Sequence, residues 1–171
     1  MNNIILEGFM GSGKTTLGKE LANSLGFSFV DTDEYIENKY NRIIKDIFAN
    51  EGEEYFRDME TEAIEELSKK DSMVIALGGG LPVREVNREI LKKTGKVIYL
   101  KAKVSTLCDR LKNDTNRPLL MNVSLEDRIN ELMNKRGSIY EEVADYTVNT
   151  DDKTIEQVVK EMEAIYEDIS N

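Results

Sequence analysis

Short apolar runs alternate with longer amphipathic stretches along most of the chain. The runs fall at residues 4–6, 27–30, 73–77, 97–100 and, more weakly, 146–148. Each is of strand length, and the stretches between them carry helical periodicity. Leu17, Leu21 and Leu25 recur at i, i+4, i+8 on one helix face. Phe56, Glu60, Ala63 and Leu67 read similarly, as do Ile129, Leu132, Met133 and Arg136. The C-terminal stretch places Ile155, Val158, Val159, Met162, Ile165 and Ile169 on one face of an amphipathic helix. This alternation predicts an α/β fold: a parallel sheet flanked by helices. Two segments break the rhythm. Residues 31–52 read as an insertion of short helices. Residues 113–124 (NDTNRPLLMNVS) form a long loop, with Ser124 and Asp127 spaced as a capping box for the helix that follows.

Composition narrows the classes. A chain of 171 residues is expected to form one domain, residues 1–171, with a core that needs no disulfide or metal staple. Cys108 is the only cysteine, so no intrachain disulfide can form, and it reads as a small buried residue beside Leu107 and Leu111. There is no histidine, so the chemistry must come from carboxylates, lysines, arginines and hydroxyls. The net charge of −10 argues against nucleic acid or an anionic membrane as partner. Half of that excess lies on the last 21 residues, a solvated helix face too far from a cleft elsewhere to act through salt. The sequence predicts no signal peptide and no membrane span, and hence a cytoplasmic protein.

The strongest chemical signal is at residues 8–15, Gly-Phe-Met-Gly-Ser-Gly-Lys-Thr, which fits G-x-x-x-x-G-K-[ST] between a strand and a helix. Glycines let successive N–H groups of such a loop turn toward phosphate, and the helix N-terminus adds partial positive charge. Gly11, Ser12, Gly13, Lys14, Thr15 and Thr16 are therefore expected to hold ATP, with Lys14 on the β/γ-phosphates and Thr15 on Mg2+. The apolar run 73–77 ends in Gly78-Gly79-Gly80, not in the aspartate that usually holds the metal, so Asp31 at the end of run 27–30 is the candidate. Asp31-Thr32-Asp33 sets two carboxylates two residues apart, one for the metal and one for an acceptor hydroxyl; the competing reading is an N-capping cluster. Arg57 and Arg136 stand on apolar-facing helix positions, as suits a planar anion better than a solvated face.

Taken together, these segments resemble shikimate kinase. The resemblance is carried by residues 8–15, by Asp31-Thr32-Asp33, by Ile47-Phe48 followed by Gly52-Glu53, and by Phe56-Arg57 with Glu60. It continues through Gly78-Gly79-Gly80, Arg117-Pro118-Leu119-Leu120, and Arg136 leading to Tyr140 and Ala144-Asp145. It implies a five-stranded parallel sheet of the P-loop nucleoside-monophosphate-kinase type. It further implies transfer of a phosphoryl group from MgATP to shikimate by a monomer. Arg57, Arg136, Gly79 and Gly80 would then hold shikimate, Asp33 its hydroxyls, and an acceptor segment would span about 31–61. Residues 113–124 would be a lid whose Arg117 reaches ATP, and Arg110 and the turn at 149–153 would lie near adenine. Gluconate kinases, the nearest rivals, want a histidine after Asp-x-Asp, and none exists here. A nucleoside-monophosphate acceptor would leave the glycine run and Arg57 without a purpose. A GTPase switch would want N-K-x-D, but residues 38–41 and 134–137 lack the aspartate. An inactive relative would have no need of Lys14, Asp33, Arg57 and Arg136 together.

Overall fold

A computed structural model describes residues 2–113 and 124–170. Five strands, β1 (Ile4–Glu7), β2 (Ser28–Asp31), β3 (Met73–Ala76), β4 (Lys96–Lys101) and β5 (Tyr146–Asn149), form one sheet in the order β2-β3-β1-β4-β5. Every pairing is parallel, as the apolar runs predicted. The helices are α1 (Lys14–Leu25), α2 (Thr32–Tyr40), α3 (Ile44–Glu51), α4 (Glu53–Leu67), α5 (Glu85–Thr94), α6 (Val104–Leu111), α7 (Leu125–Val143) and α8 (Ile155–Ser170). A short 3₁₀ turn, Leu81–Val83, follows the glycine run.

Alternation along β1 explains the layers. Ile4 and Leu6 face Leu17 and Leu21 of α1 and Val158 and Met162 of α8. Ile5 faces the other way, onto Ile64 and Leu67 of α4 and Leu91 of α5. A third cluster joins Phe9 to Leu107 and Leu111 of α6 and Ile129, Leu132 and Tyr140 of α7. A fourth lies off the sheet, where Ile36, Ile47, Phe56, Met59 and Ala63 bind α2, α3 and α4 together. Each large apolar side chain buried there is worth about 1.5–3 kcal/mol, so residues 32–67 carry a core of their own.

Because the strands are parallel, their C-terminal ends share one edge. Register sets Asp31 beside Ala76 and Glu7 beside Tyr99, so the loops after β2, β3 and β1 open side by side, from the edge strand to the centre of the sheet. The Thr32 hydroxyl accepts the Gly78 N–H at 2.8 Å and pins the glycine run to the start of α2.

Three expectations need correction. Ser124 stands at the N-cap of α7, but its side chain makes no capping hydrogen bond; the capping-box spacing is present without the bond. The second strand is displaced by one residue, because Phe27 N–H is spent on Ala22 O at the end of α1 and pairing begins at Ser28. Ile155, placed by periodicity on the buried face of α8, is 51% exposed.

Candidate active site

The loop after β1 curls as its glycines allow. Gly11 and Gly13 have φ of 81° and 92°, a region that side chains avoid. Gly13 is the N-cap of α1, and no side chain caps that helix end. Its free N–H groups and the dipole behind them therefore face the loop, as an anion site requires. Lys14 Nζ donates to Gly8 O at 2.7 Å and Phe9 O at 3.0 Å, which holds the ammonium over the loop. Arg110 donates to Gly11 O at 2.9 Å from α6.

The two carboxylate oxygens of Asp31 have different partners. Its Oδ1 accepts from Asp33 N at 2.9 Å and Glu34 N at 3.3 Å and so caps α2. Its Oδ2 accepts from Thr15 Oγ1 at 2.7 Å. A hydroxyl and a carboxylate oxygen thus meet where α1 begins. Such hard donors suit Mg2+, which takes one or two protein oxygens and completes its shell with phosphate and water. Among the described residues no cluster of three or more acidic, histidine or cysteine side chains could hold a metal by itself. The donor set therefore fits a cation that arrives with a nucleotide.

Beside it lies a cavity of about 570 Å³, bounded by Thr15, Asp31 and Asp33 on one side and by Arg57, the glycine run and Arg136 on the other. Phe48, Phe56 and Ile44 give it an apolar wall. Arg57 is 9% exposed; its guanidinium pairs with Glu60 Oε1 at 2.5 Å and Glu53 Oε1 at 3.0 Å. Burial works against the Arg57 charge, but the two carboxylates outweigh it and push its pKa up. Glu60 is fully buried. Burial pushes its carboxyl up to about 7 against the pull of Arg57, with the charge of Asp33 adding to the rise. Arg136 is 4% exposed, and its Nη1 has no hydrogen-bond partner among the described residues. A buried, half-satisfied guanidinium is costly unless an anion completes it.

The glycines are what let these charges converge. A Cβ on Gly78 would stand 2.6 Å from Asp33 Oδ1 and 3.0 Å from Glu60 Oε2, and one on Gly80 would collide with the Arg57 guanidinium. Gly79 is held from the other side, where the Tyr140 hydroxyl donates to its carbonyl. A second cavity, of about 320 Å³, opens beyond the loop, between Ser12, Gly13 and Thr16 and the Arg110, Thr150 and Lys153 side. Of the candidate residues, all but Arg117 thus gather around the two cavities or in the loop between them. Arg117 lies outside the described residues.

Sequence reasoning did not single out two carboxylates. Glu60 was read only as a helix-face position within a motif; its i, i+3 spacing from Arg57 was the available signal. Glu7, at the end of β1, went unremarked as the flank of an apolar run, yet it is wholly buried and neither of its oxygens has a hydrogen-bond partner among the described residues.

A phosphate-type glycine loop, a hydroxyl–carboxylate pair and an arginine-lined cavity on one parallel sheet are the features of a P-loop kinase. Comparison with known proteins sharpens this. Residues 10–166 match the family model for shikimate kinase. The chain is 46% identical over its full length to the shikimate kinase of Thermodesulfovibrio yellowstonii, covering 98% of that protein. Its structure resembles that of an Acinetobacter baumannii shikimate kinase in complex with shikimate, with a TM-score of 0.92, 40% identity, and coverage of 95% of this chain and 91% of the other. The Aquifex aeolicus shikimate kinase aligns with a TM-score of 0.85 at 36% identity over 98% of each chain. The chain belongs to the shikimate kinase family and is an ATP-dependent kinase.

Proposed function

We propose that the protein moves the γ-phosphoryl group of MgATP to the 3-hydroxyl of shikimate, giving ADP and shikimate 3-phosphate. The observation that carries this reading is the buried Arg136 guanidinium, one nitrogen of which has no partner among the described residues, facing Arg57 and Asp33 across bare glycine backbone beside the phosphate loop. A guanidinium fork matches a carboxylate, and the apolar wall suits a ring. Residues 31–61 form the acceptor segment of a single 171-residue kinase domain. Arg57, Arg136, Gly79 and Gly80 hold shikimate, and Asp33 takes its hydroxyls. ATP lies along Gly11, Ser12, Gly13, Lys14, Thr15 and Thr16, with Arg110 toward the nucleoside. Residues 113–124 act as the lid, and its Arg117 meets the transferring phosphoryl group. The enzyme works as a cytoplasmic monomer, with neither nucleic acid nor membrane as partner.

Phosphoryl transfer needs alignment, neutralisation of charge and exclusion of water. Lys14, the loop amides and Arg117 neutralise the group in flight. Thr15 and Asp31 would hold Mg2+, which would supply neutralisation of the phosphate charge. Asp33 orients the acceptor hydroxyl and accepts its proton. Lid closure keeps out water, whose attack would waste ATP.

The test is ADP release in a coupled assay. Formation of ADP should require both shikimate and Mg2+, and neither gluconate nor AMP should substitute; equal turnover with AMP would move the protein to the nucleotide kinases. A second measurement probes the glycine run. Gly80→Ala should displace Arg57 and weaken shikimate binding by about tenfold, the worth of one charged hydrogen bond, while the KM for ATP stays within twofold of about its parental value. An unaltered shikimate affinity would mean that Arg57 has room to retreat without cost.

A further inference from the structure

Glu7 has no place in the mechanism above, and its surroundings are unusual for a carboxylate. It ends the central strand one residue before the phosphate loop, is wholly buried, and neither oxygen has a hydrogen-bond partner among the described residues. The same face of the sheet carries Ile5 and Val97, so the side chain points into an apolar layer. Among the described residues, four titratable groups lie within electrostatic reach: Lys14 from α1, Tyr99 from β4, Tyr140 from α7, and Asp145 from the turn before β5. Further charges on α7 are Arg136, one turn before Tyr140, and Glu141, directly after it. The facing residues of β3, Met73 to Ala76, carry no charge. Among the described residues Lys14 is the cation whose charge pulls on Glu7, and it is already engaged with the carbonyls of Gly8 and Phe9.

We propose that Glu7 links nucleotide binding to protons: phosphate in the loop that follows it favours the neutral carboxyl, so wherever Glu7 is ionised in the free enzyme and neutral in the complex, binding of ATP or ADP takes up a proton. In the free enzyme, burial pushes the Glu7 carboxyl up to about 8, against the pull of Lys14 and with a smaller push from Asp145. Phosphate brings negative charge to the loop and recruits the Lys14 ammonium to itself. A net unit charge roughly 8 Å away, at an effective dielectric of about 20, would raise the midpoint by about 1.5 on the pH scale. The sign follows. Below about pH 7 Glu7 is neutral in both states and no proton moves. Between the free and the bound midpoint, binding takes up a proton and affinity falls as pH rises. The tyrosines do not titrate in this window, since burial pushes Tyr99 up to about 12 and Tyr140 higher still.

The probe is MgADP, titrated by calorimetry at pH 8 in Tris and in Hepes, whose different ionisation heats report the proton count. The parent should take up about half a proton more than Glu7→Gln, which keeps shape and neutrality. From pH 7 to 9.5 the parent should lose about tenfold in MgADP affinity while Glu7→Gln stays nearly flat. Equal proton counts, or a loss shared by both proteins and therefore due to Lys14, would overturn the proposal. If Glu7→Gln does not fold, the parent profile decides, a flat one rejecting the linkage. The inference rests on the nucleotide reading of the loop. A parent that binds no MgADP at pH 7 would reject that reading, whereas binding without proton uptake rejects only the role of Glu7.

Discussion

Replacing Asp33 by Asn should cut turnover by about two orders of magnitude or more while leaving the fold and ATP binding intact. Asparagine keeps the shape and most of the hydrogen bonding at this position but cannot carry the negative charge or accept the acceptor proton. General-base contributions run to about 10²–10⁴-fold. In a loose transition state much of the effect of Asp33 is orientation, which places the expected loss at the lower end of that range. The side chain sits in the first turn of α2 and against Gly78, so its position is fixed by backbone that the substitution does not touch. Steady-state rates at saturating shikimate and ATP check this. Turnover within about threefold of the parent would remove Asp33 from the catalytic groups. Asp31→Asn supplies the contrast: its defect should ease as Mg2+ is raised, and that of Asp33→Asn should not.

Arg136→Ala should weaken shikimate binding by about a hundredfold without destabilising the protein. A bidentate fork onto a carboxylate makes two charged hydrogen bonds of roughly 1.5–3 kcal/mol each, partly offset by desolvation. In the free enzyme Arg136 already bears the cost of a buried nitrogen with no partner among the described residues, so removing it relieves that state even as it deprives the complex. Arg57 differs. Its guanidinium is the partner of the buried Glu60, and breaking a buried pair typically costs about 3–5 kcal/mol, a large share of the roughly 5–15 kcal/mol that keeps a domain folded. Arg57→Ala therefore confounds binding with folding, whereas Arg136→Ala separates them. The check is shikimate affinity alongside thermal unfolding. A large fall in Tm for Arg136→Ala would mean that the side chain holds α7 in place rather than waiting for an anion.

The sheet was legible because each strand carries a short apolar run, weakest in β5, between helical stretches. Each helix that packs on it shows its buried face at i, i+3 and i+4. The phosphate loop was legible because its chemistry is local: glycines, lysine and threonine act within eight consecutive residues. The acceptor cavity was half legible. Arg57 and Arg136 stood out as cations on apolar faces, but 79 positions separate them in the chain, and their convergence on the glycine run depends on sheet order, which no local pattern encodes. Family resemblance supplied that step. Glu7 was invisible for the opposite reason. An acid after three apolar residues looks like a strand leaving the core, and only the central place of β1, flanked by β3 and β4 and roofed by α7, buries it. Ser124 is the converse case, a capping pattern whose bond does not form.

The divided carboxylate of Asp31 has a consequence for how the two substrates influence each other. One oxygen fixes the first turn of α2, the turn that carries Asp33, and the other is tied to Thr15 at the mouth of α1. On the proposed reading, a cation that draws Asp31 toward itself would pull on the same short segment that carries Asp33 to the acceptor. The two binding steps then form a closed thermodynamic cycle: whatever factor MgADP contributes to shikimate affinity, shikimate must return to MgADP. Synergy of this kind needs no long-range pathway, only one side chain with two obligations.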